Sequence, residues 1–384
     1  MGLSIGSPGS PGCRAGSPPG SWCWAGVVWS WNLSSPPPPP PAAATVGAVW
    51  QDWIRGAALV QLCPSLAFRW SRQGVAPGTK PRAVVTGGAG FIGSHIADRL
   101  IESGYDVLVV DNMATGSFSN VPPAARLEER DVADPAVESL LREWHGEVVV
   151  HCAAQVSVSA SILDPALDAR SNVLGTVSTI RAAVAGGCRR FLYVTTGGAL
   201  YGRPHYLPCD EDHPVEPISP YGLSKWMGER YLDLIAPQTM GRVVLRLANV
   251  YGPRQRSDGE GGVVAVFAER MRRRLPVEVH GDGLQTRDFV YVGDVVDAAM
   301  AAVKATRSTT VNVATDRSIS VLDLFAAVAS IAGYSEPPSF VAARPGDIRD
   351  SRLAIGKAAR DLGWAPQTQL EAGLAATYAS LALP

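Results

Sequence analysis

The stretch between residues 84 and 93 constrains the fold of this chain more than any other part of its sequence. It has the pattern of a buried β-strand that ends in a glycine turn and opens a helix, with three glycines spaced G-x-x-G-x-x-G. In such a turn one glycine permits the tight bend, one lets the backbone approach a pyrophosphate, and one lets helix and strand pack closely. The free N–H groups at the helix N-terminus then attract phosphates. The residues expected to hold a dinucleotide here are Gly87, Gly90, Phe91, Ile92 and Gly93.

An acidic residue at the end of the next predicted strand supports this interpretation. The strand is predicted over residues 105–111, and Asp111 closes it 18 residues after Gly93. A carboxylate at that place accepts hydrogen bonds from both ribose hydroxyls of an adenosine and repels a 2′-phosphate. The cofactor is therefore expected to be NAD and not NADP, the alternative for Asp111 being a helix cap or a turn.

Strand and helix patterns alternate along the rest of the chain, and the strands are almost continuously apolar. Such strands are typical of a sheet covered by helices on both faces, so the sequence predicts an α/β fold with a doubly wound parallel sheet. We expect residues 79–250 to form the NAD-binding domain. Residues 251–384 are expected to be mainly a smaller substrate-binding lobe, with some segments returning to the main sheet. The predicted strands span residues 82–85, 105–111, 126–130, 147–151, 190–196 and 243–249, and the main predicted helices span 91–101, 165–185 and 220–236.

Residues that follow the third and fourth predicted strands are expected to line the rest of the cofactor. Two of them come directly after the third strand, which places them at the adenine edge. Three small or polar residues follow the fourth strand, where the backbone can lie against the nicotinamide half, and one amide lies on the following helix. These residues are Asp131, Val132, Ala153, Ala154, Gln155 and Asn172.

Composition narrows the class of protein. A net charge of −1 over 384 residues gives no electrostatic reason to expect nucleic-acid binding. The six cysteines form no C-x-x-C pair, so neither a zinc site nor a disulfide framework is indicated, and reduced thiols in the cytoplasm are expected. No apolar run reaches the roughly 18 residues that a membrane span requires.

Residues 1–78 differ from the rest in being rich in Gly, Ser, Pro and Trp, with an unbroken proline run at Pro36–Pro41 and a single acid, Asp52. A polyproline run favours an extended chain. A targeting segment is one interpretation, because transit peptides are also poor in acids. We favour a disordered or spurious N-terminal extension, with the enzyme beginning near residues 75–81.

Tyr221 and Lys225, four residues apart, form the pair that the sequence offers for proton transfer. Their spacing places both on one face of the helix predicted over residues 220–236. A phenol is a weak base at neutral pH, but a nearby ammonium and a positive nicotinamide ring favour the phenolate. Tyr221 is therefore the expected proton acceptor and Lys225 its partner.

A hydroxyl beside this pair would bind the reacting oxygen. Thr196, at the end of the fifth predicted strand, is the expected donor. Thr195 is the competing candidate, because neighbours in a strand point to opposite faces.

These motifs together resemble the extended short-chain dehydrogenase/reductase family and, within it, the NAD-dependent UDP-glucose 4-epimerases. The likeness extends over about residues 80–380. The motifs that carry it are Gly87–Gly93, Asp111–Asn112, Ala153–Gln155, Thr195–Gly202, Tyr221–Lys225 and Asn249–Pro253.

The resemblance implies a mechanism in which NAD stays tightly bound. Tyr221 removes the proton of the sugar 4-hydroxyl while a hydride passes from C4 to the nicotinamide. The 4-keto sugar then rotates and takes the hydride back on its other face. Lys225 binds the nicotinamide ribose and lowers the pKa of Tyr221, and Thr196 orients the 4-oxygen. The resemblance also implies that Asn112 contacts the cofactor.

One departure concerns the hydroxyl. Many family members carry Ser or Thr four residues before the Tyr of the Tyr-Gly pair, where this chain has Gly197. A subset of epimerases has a Ser-Ser-Gly-Gly stretch there, which residues 195–198 match. The hydroxyl must then come from Thr196 or Thr195.

The resemblance also implies the contacts to the nucleotide sugar. Arg287 and Arg344 are expected on the UDP phosphates, Asp347 on the uridine ribose, and Asn249 on a phosphate or the sugar. Ser351 occupies the position that limits the sugar pocket, where a small residue leaves space for a 2-acetamido group. A homodimer through the helices at about 165–187 and 220–236 is expected.

Other activities on the same fold make different demands. A nucleotide-sugar dehydratase needs an Asp-Glu pair after the catalytic threonine, where this chain has Gly197 and Gly198, and a uronate decarboxylase is disfavoured for a similar reason. A UDP-uronate 4-epimerase uses the same machinery and stays open. A non-catalytic NAD-binding sensor would be expected to lack the Tyr221–Lys225 pair.

Overall fold

A computed structural model describes residues 80–258, 262–343 and 348–381, together with two short antiparallel strands at Cys23–Trp24 and Val27–Val28. Apart from those four residues, the segment 1–78 lies outside the described residues, and so does the expectation of an extension there. The chain divides into two compact units, Met1–Ala76 and Pro77–Pro384. The second unit contains every catalytic and binding motif singled out above.

Strands and helices alternate along the second unit. The strands are β1 (Arg82–Thr86), β2 (Asp106–Asp111), β3 (Arg126–Glu129), β4 (Val148–His151), β5 (Arg190–Thr196), β6 (Gly241–Leu247), β7 (Asn249–Tyr251), β8 (Glu278–His280), β9 (Thr286–Arg287), β10 (Phe289–Tyr291), β11 (Thr309–Val313), β12 (Ile319–Ser320) and β13 (Ser339–Val341). The helices are α1 (Phe91–Glu102), α2 (Ala136–Trp144), α3 (Val158–Leu163), α4 (Pro165–Ala169), α5 (Gly175–Ala185), α6 (Gly197–Tyr201), α7 (Pro220–Ile235), α8 (Val263–Arg272), α9 (Val292–Lys304), α10 (Val321–Ala332), α11 (Gly356–Leu362) and α12 (Leu370–Ser380). A 3₁₀ turn lies at Phe118–Asn120, and a π-helical turn at Arg170–Leu174 joins α4 to α5.

One seven-stranded sheet organises the unit, in the order β3-β2-β1-β4-β5-β6-β11. All its neighbouring strands are parallel. The chain moves outward from β1 to β3, crosses back to β4 and then moves outward on the other side. The predicted doubly wound α/β fold is confirmed. Ligands of such sheets bind at the carboxyl ends of the strands, in the crevice where the order reverses, here between β1 and β4.

The strands are apolar along their length because both faces of the sheet are covered. Val85 and Val109 pack into the layer that contains α1 and α9. Val84 and Leu108, their neighbours in sequence, pack into the opposite layer with α2, α5 and α7. This alternation accounts for the continuous apolar runs from which a parallel sheet was predicted.

Two predicted elements differ from the structure. The strand predicted over residues 243–249 is wrong at its end: β6 stops at Leu247, and Asn249 begins β7, which pairs with β10 outside the main sheet. The backbone N–H of Asn249 donates to the carbonyl of Asp288 at 2.9 Å, which draws the chain away from the sheet. The single helix predicted over residues 165–185 is interrupted by the π-helical turn.

The later part of the chain forms a second apolar core from short strand pairs and the helices α8, α10 and α12. β7 pairs with β10 and β8 with β13 in parallel, and β9 pairs with β12 antiparallel. Tyr251, Phe267 and Phe325 are among its large buried side chains. Two later elements pack with the main sheet instead. β11 is one of its two edge strands, and α9 packs on α1 in the layer that covers one face. None of the described helices has the length and apolar character to cross a bilayer.

His151, the last residue of β4, is buried with both ring nitrogens hydrogen-bonded. Nδ1 lies 2.7 Å from the Thr86 hydroxyl and Nε2 lies 3.0 Å from the Thr176 hydroxyl. Because the Thr176 hydroxyl donates to the Asn172 carbonyl at 2.6 Å, it accepts from Nε2–H. Burial, aided by the charge of Lys225, lowers the His151 pKa to about 3.

We therefore expect the His151 ring to stay neutral, as the Nε2–H tautomer, well below pH 6. An unfolded histidine titrates near pH 6.5, so the stability that this ring contributes is lost as the pH falls from about 6.5 towards 3. Nitrogen-15 NMR of the imidazoles against pH, assigned with His151→Gln, tests this. A midpoint near 6.5 for this ring would contradict it.

Candidate active site

The glycine turn between β1 and α1 is shaped by contacts within the chain. Gly87 has φ +69°, and a Cβ there would lie 2.6 Å from the backbone nitrogen of Ala153. A Cβ on Gly93 would lie 2.2 Å from the Gly87 carbonyl oxygen. A Cβ on Gly90 would meet, among the described residues, only that same oxygen at 3.2 Å. Packing within the chain thus accounts for Gly87 and Gly93 more strongly than for Gly90, whose outer side faces no other described residue within 4 Å.

The N-terminus of α1 lies beside Gly90 and carries no capping side chain and no acid in its first turn. Within the described residues, the backbone N–H groups of Phe91, Ile92 and Gly93 have no acceptor. Unpaired N–H groups at a helix N-terminus bind phosphate, and the helix dipole favours the negative charge. These groups, with the space beside Gly90, fit the pyrophosphate of NAD.

Asp111 lies next to this turn, at the carboxyl end of β2. Its Oδ2 accepts from the N–H of Ala89 and its Oδ1 from the N–H of Met113, both at 2.9 Å. The carboxylate is buried and fixed, while each oxygen keeps a further lone pair. That geometry fits a group which accepts ribose hydroxyls.

Asn112 and Asp131 meet at the ends of β2 and β3. The Asn112 amide donates to Asp131 Oδ2 at 3.1 Å, and Asp131 Oδ1 accepts from the N–H of Ala133 at 2.8 Å. Val132 is buried, and a Cβ on Gly175 would lie 2.7 Å from its Cγ2. The structure thus brings these predicted adenine-side residues to one edge of the sheet.

The loop after β4 is held by an amide clamp. Asn172 Oδ1 accepts from the N–H of Gln155 at 2.8 Å, and Asn172 Nδ2 donates to the Gln155 carbonyl at 2.9 Å. Nδ2 also lies 3.0 Å from Asp168 Oδ1 and 3.2 Å from Ser224 Oγ. Both polar atoms of the Asn172 amide therefore bind the protein's own loop. They fix its backbone at Gln155, directly after Ala153 and Ala154. The π-helical turn places Asn172 here, as such turns often do at functional sites.

Asp168 was not identified from the sequence. It is a buried acid on α4, one turn before Asn172, and it also accepts from Gln155 Nε2 at 2.9 Å. The signal available was an acid four residues before an amide in a helical stretch, which is too common to single out.

Tyr221 and Lys225 lie on the first two turns of α7. The helix starts at Pro220, and the Ser219 hydroxyl caps it by accepting from the N–H of Gly222 at 3.1 Å. Lys225 is 3% exposed. Its Nζ donates to the Val194 carbonyl at 2.9 Å and lies 4.5 Å from the centre of the Tyr193 ring.

Burial controls the titration of both residues. It lowers the pKa of Lys225 to about 8, and the nearby Cys152, Glu229 and Asp168 oppose that shift. Burial also raises the pKa of Tyr221 well above its usual value, and the charge of Asp168 raises it further. The expected lowering of the Tyr221 pKa is thus not a property of the chain alone, since Lys225 binds the β5 backbone.

The two candidate threonines lie on opposite faces of β5. The Thr196 hydroxyl caps α6 by accepting from the N–H of Ala199 at 3.3 Å. Thr195 shares the face of Tyr193, the ring beside the Lys225 ammonium. Its hydroxyl is buried and has no hydrogen-bond partner among the described residues. The geometry therefore favours Thr195 as the hydroxyl of the Tyr221–Lys225 face.

The glycines after β5 pack against the segment around Ser351. A Cβ on Gly197 would meet Leu353 Cδ1, so a side chain at this position requires the Leu353 side chain to move. A Cβ on Gly198 would lie 3.6 Å from Ser351 Oγ. Ser351 is 9% exposed, and its N–H donates to the Thr286 carbonyl at 3.2 Å.

The remaining substrate-side predictions are only partly covered by the structure. Asn249 is exposed at the start of β7, and Arg287 on β9 donates from Nη1 to the Thr286 carbonyl at 2.8 Å. Arg344 and Asp347 lie outside the described residues. An additional arginine, Arg349, pairs with Asp282 at 2.8 Å.

Comparison with known proteins identifies close relatives over the same region. Residues 83–314 match the NAD dependent epimerase/dehydratase family. The UDP-glucose 4-epimerase of Mycolicibacterium smegmatis is 41% identical over 303 residues, which cover 77% of this chain and 97% of the relative. The structure resembles the UDP-glucose 4-epimerase of Thermotoga maritima, solved with UDP-glucose, with TM-score 0.76, 42% identity and coverage of 78% of this chain and 98% of that one. It also resembles the Thermus thermophilus UDP-glucose 4-epimerase in complex with NAD, with TM-score 0.73, 39% identity and the same coverage.

Gly90 and Gly93 are expected to differ in what a side chain disturbs. Gly93→Ala pushes a methyl group into the Gly87 carbonyl and should lower the unfolding free energy by about 2 kcal/mol or more. Gly90→Ala meets only one atom, at 3.2 Å, so it should cost the NAD-free protein much less stability and mainly reduce its NAD content. Thermal unfolding without NAD, and the NAD content of the purified proteins, measure the two effects. Equal loss of stability in both variants would contradict this division.

Proposed function

Because the chain belongs to the NAD dependent epimerase/dehydratase family, as its motifs predicted, we propose that it interconverts a UDP-hexose and its 4-epimer with NAD as the cofactor. The observation that carries this proposal is the position of Tyr221 and Lys225. Lys225 is buried at the carboxyl end of β5, with the half-buried Tyr221 one turn before it on α7, and the unpaired N–H groups of the β1–α1 turn lie at the same edge of the sheet. The identity to UDP-glucose 4-epimerases extends over nearly their whole length.

Tyr221 and Lys225 have separate roles in the proposed reaction. When bound, NAD would supply the hydride chemistry of the reaction, as acceptor from sugar C4 and as donor back to it. Tyr221 accepts the proton of the 4-hydroxyl and gives it back, which requires that its raised pKa fall when positive charge is added nearby. Lys225 has three N–H donors, of which one binds Val194, so two are left for the cofactor ribose.

Turnover without added cofactor tests this proposal. The purified protein should convert UDP-galactose to UDP-glucose with no NAD added, and Tyr221→Phe should lower kcat by about 10²- to 10⁴-fold while NAD stays bound. Chromatography of the products measures both. No product despite bound NAD would reject the UDP-hexose substrate and favour a UDP-uronate. No turnover of any UDP-sugar would favour a sensor.

The hydroxyl that assists Tyr221 can be assigned with two matched substitutions. We propose Thr195 in place of the expected Thr196, because its hydroxyl lacks a partner and shares the face of β5 that Lys225 contacts. Thr195→Val should lower kcat about 100-fold. Thr196→Val should cost about 1 kcal/mol of stability through the lost cap and change kcat by less than about threefold. The opposite pattern in kcat would assign the role to Thr196.

The sugar pocket should accept a 2-acetamido group, because Ser351 and Gly198 are both small where they meet. We expect turnover of UDP-N-acetylgalactosamine as well as UDP-galactose. Ser351→Tyr should abolish the first activity and keep the second, since a ring there takes the space of the acetamido group. Loss of both activities, or of neither, would contradict this role.

We also propose that the protein is a homodimer in the cytoplasm. Large apolar side chains are exposed on the predicted interface, namely Leu167 on α4, Leu174 on the π-helical turn, and Leu223 and Leu234 on α7. Exposed apolar groups of this kind support burial against a second copy. The free thiols among the described residues fit a reducing compartment.

A further inference from the structure

Asp168 on α4 is a buried carboxylate that the reaction, as derived above, does not use. It is 1% exposed, and its Oδ1 accepts from Gln155 Nε2 at 2.9 Å and from Asn172 Nδ2 at 3.0 Å. In the described part of the chain it forms no ion pair. A carboxylate buried without a cation in contact costs stability, so stability alone does not account for this residue.

The titratable groups around Asp168 belong to the active site. α7 packs against α4 and carries Tyr221 and Lys225, both of which feel the charge of Asp168. The ring of Tyr193 on β5 feels it as well. The charged and titratable groups facing this pocket from the neighbouring elements are Tyr221, Lys225 and Glu229 on α7, Tyr193 on β5, and His151 and Cys152 at the end of β4.

The contacts of Asp168 also reach the loop and the catalytic helix. It holds the side chain of Gln155 and the amide of Asn172, which clamps the backbone of the loop after β4. The same amide contacts Ser224 Oγ, and that hydroxyl donates to the Tyr221 carbonyl at 3.0 Å. One carboxylate thus joins the cofactor loop to the first turn of α7.

We propose that Asp168 is a positioning residue of the epimerisation, which orders the Gln155–Asn172 clamp and places a fixed negative charge beside Tyr221 and Lys225 that sets the pH range of the reaction. The inference rests on the proposed function and names a residue through which that function is tuned.

Removal of this charge lowers the pH at which Lys225 and Tyr221 each lose a proton. Asp168 opposes the burial that lowers the pKa of Lys225, so without it Lys225 loses its proton at lower pH. Asp168 adds to the burial that raises the pKa of Tyr221, so without it the phenolate forms at lower pH. Both limbs of the pH–rate profile therefore shift towards acid, whereas a merely structural residue would change the rate by one factor at every pH.

The test compares Asp168→Asn with the wild-type holoenzyme in kcat for UDP-galactose, from about pH 6 to about pH 10. The expected result is a shift of the profile towards acid on the order of one pH unit, which corresponds to about a tenfold change in relative rate across the range. Asp164→Asn is the matched control. Asp164 caps the same helix from an exposed position, and asparagine caps equally well, so its profile should coincide with that of the wild type.

Each outcome decides the proposal. A shift in Asp168→Asn but not in Asp164→Asn supports it, and the same rate loss at all pH values overturns it. If Asp168→Asn does not fold or retain NAD, the smaller neutral variant Asp168→Ser is measured in the same way. Failure of both neutral variants to fold assigns Asp168 a structural role and also overturns the proposal. An inactive wild type would instead reject the proposed function itself.

Discussion

The close approach of Gly93 to the Gly87 carbonyl determines where the candidate site can form. With no side chain at either position, the short turn that joins β1 to α1 packs tightly, and a Cβ at residue 93 would lie only 2.2 Å from the Gly87 carbonyl oxygen. The contact aims the unpaired N–H groups of the first turn at the crevice between β1 and β4. It also brings Ala153, the start of the loop after β4, against Gly87. Cofactor turn and cofactor loop are therefore fixed by the same close packing.

Burial at the carboxyl edge of the sheet shifts the pKa values of Tyr221 and Lys225. An ammonium and a phenol that are exposed to water keep their ordinary pKa values. Here burial lowers the pKa of Lys225 and raises that of Tyr221. Both shifts disfavour charge, so the charge state of the pair depends on whatever charges enter the site. A positive cofactor ring and the negative Asp168 act on the same pair in opposite directions, and their balance sets how readily Tyr221 gives up its proton.

The sequence predicted the sheet, the glycine turn and the Tyr221–Lys225 pair because each depends on local patterns: continuous apolar strands, glycine spacing and helical periodicity. It could not distinguish Thr195 from Thr196, since that choice depends on which face of β5 receives α7. It also missed the clamp of Asn172 on Gln155, which arises from a π-helical turn that no residue pattern marks. The end of β6 was misplaced because β7 continues the apolar run in a different sheet.

A buried polar network joins the later part of the chain to α7. Glu229, one turn after Lys225 on that helix, pairs with Arg246 on β6 at 2.7 Å in a place where both side chains are buried. Such a pair costs desolvation energy unless its other hydrogen-bonding groups are satisfied. Arg246 Nη1 donates to the Tyr201 hydroxyl at 3.0 Å, and that hydroxyl donates to Asn312 Oδ1 at 2.8 Å. Asn312 in turn donates to the Ala354 carbonyl at 3.2 Å, three residues after Ser351. One continuous set of hydrogen bonds thus runs from α7 to the segment that carries Ser351, the residue proposed to limit the sugar pocket.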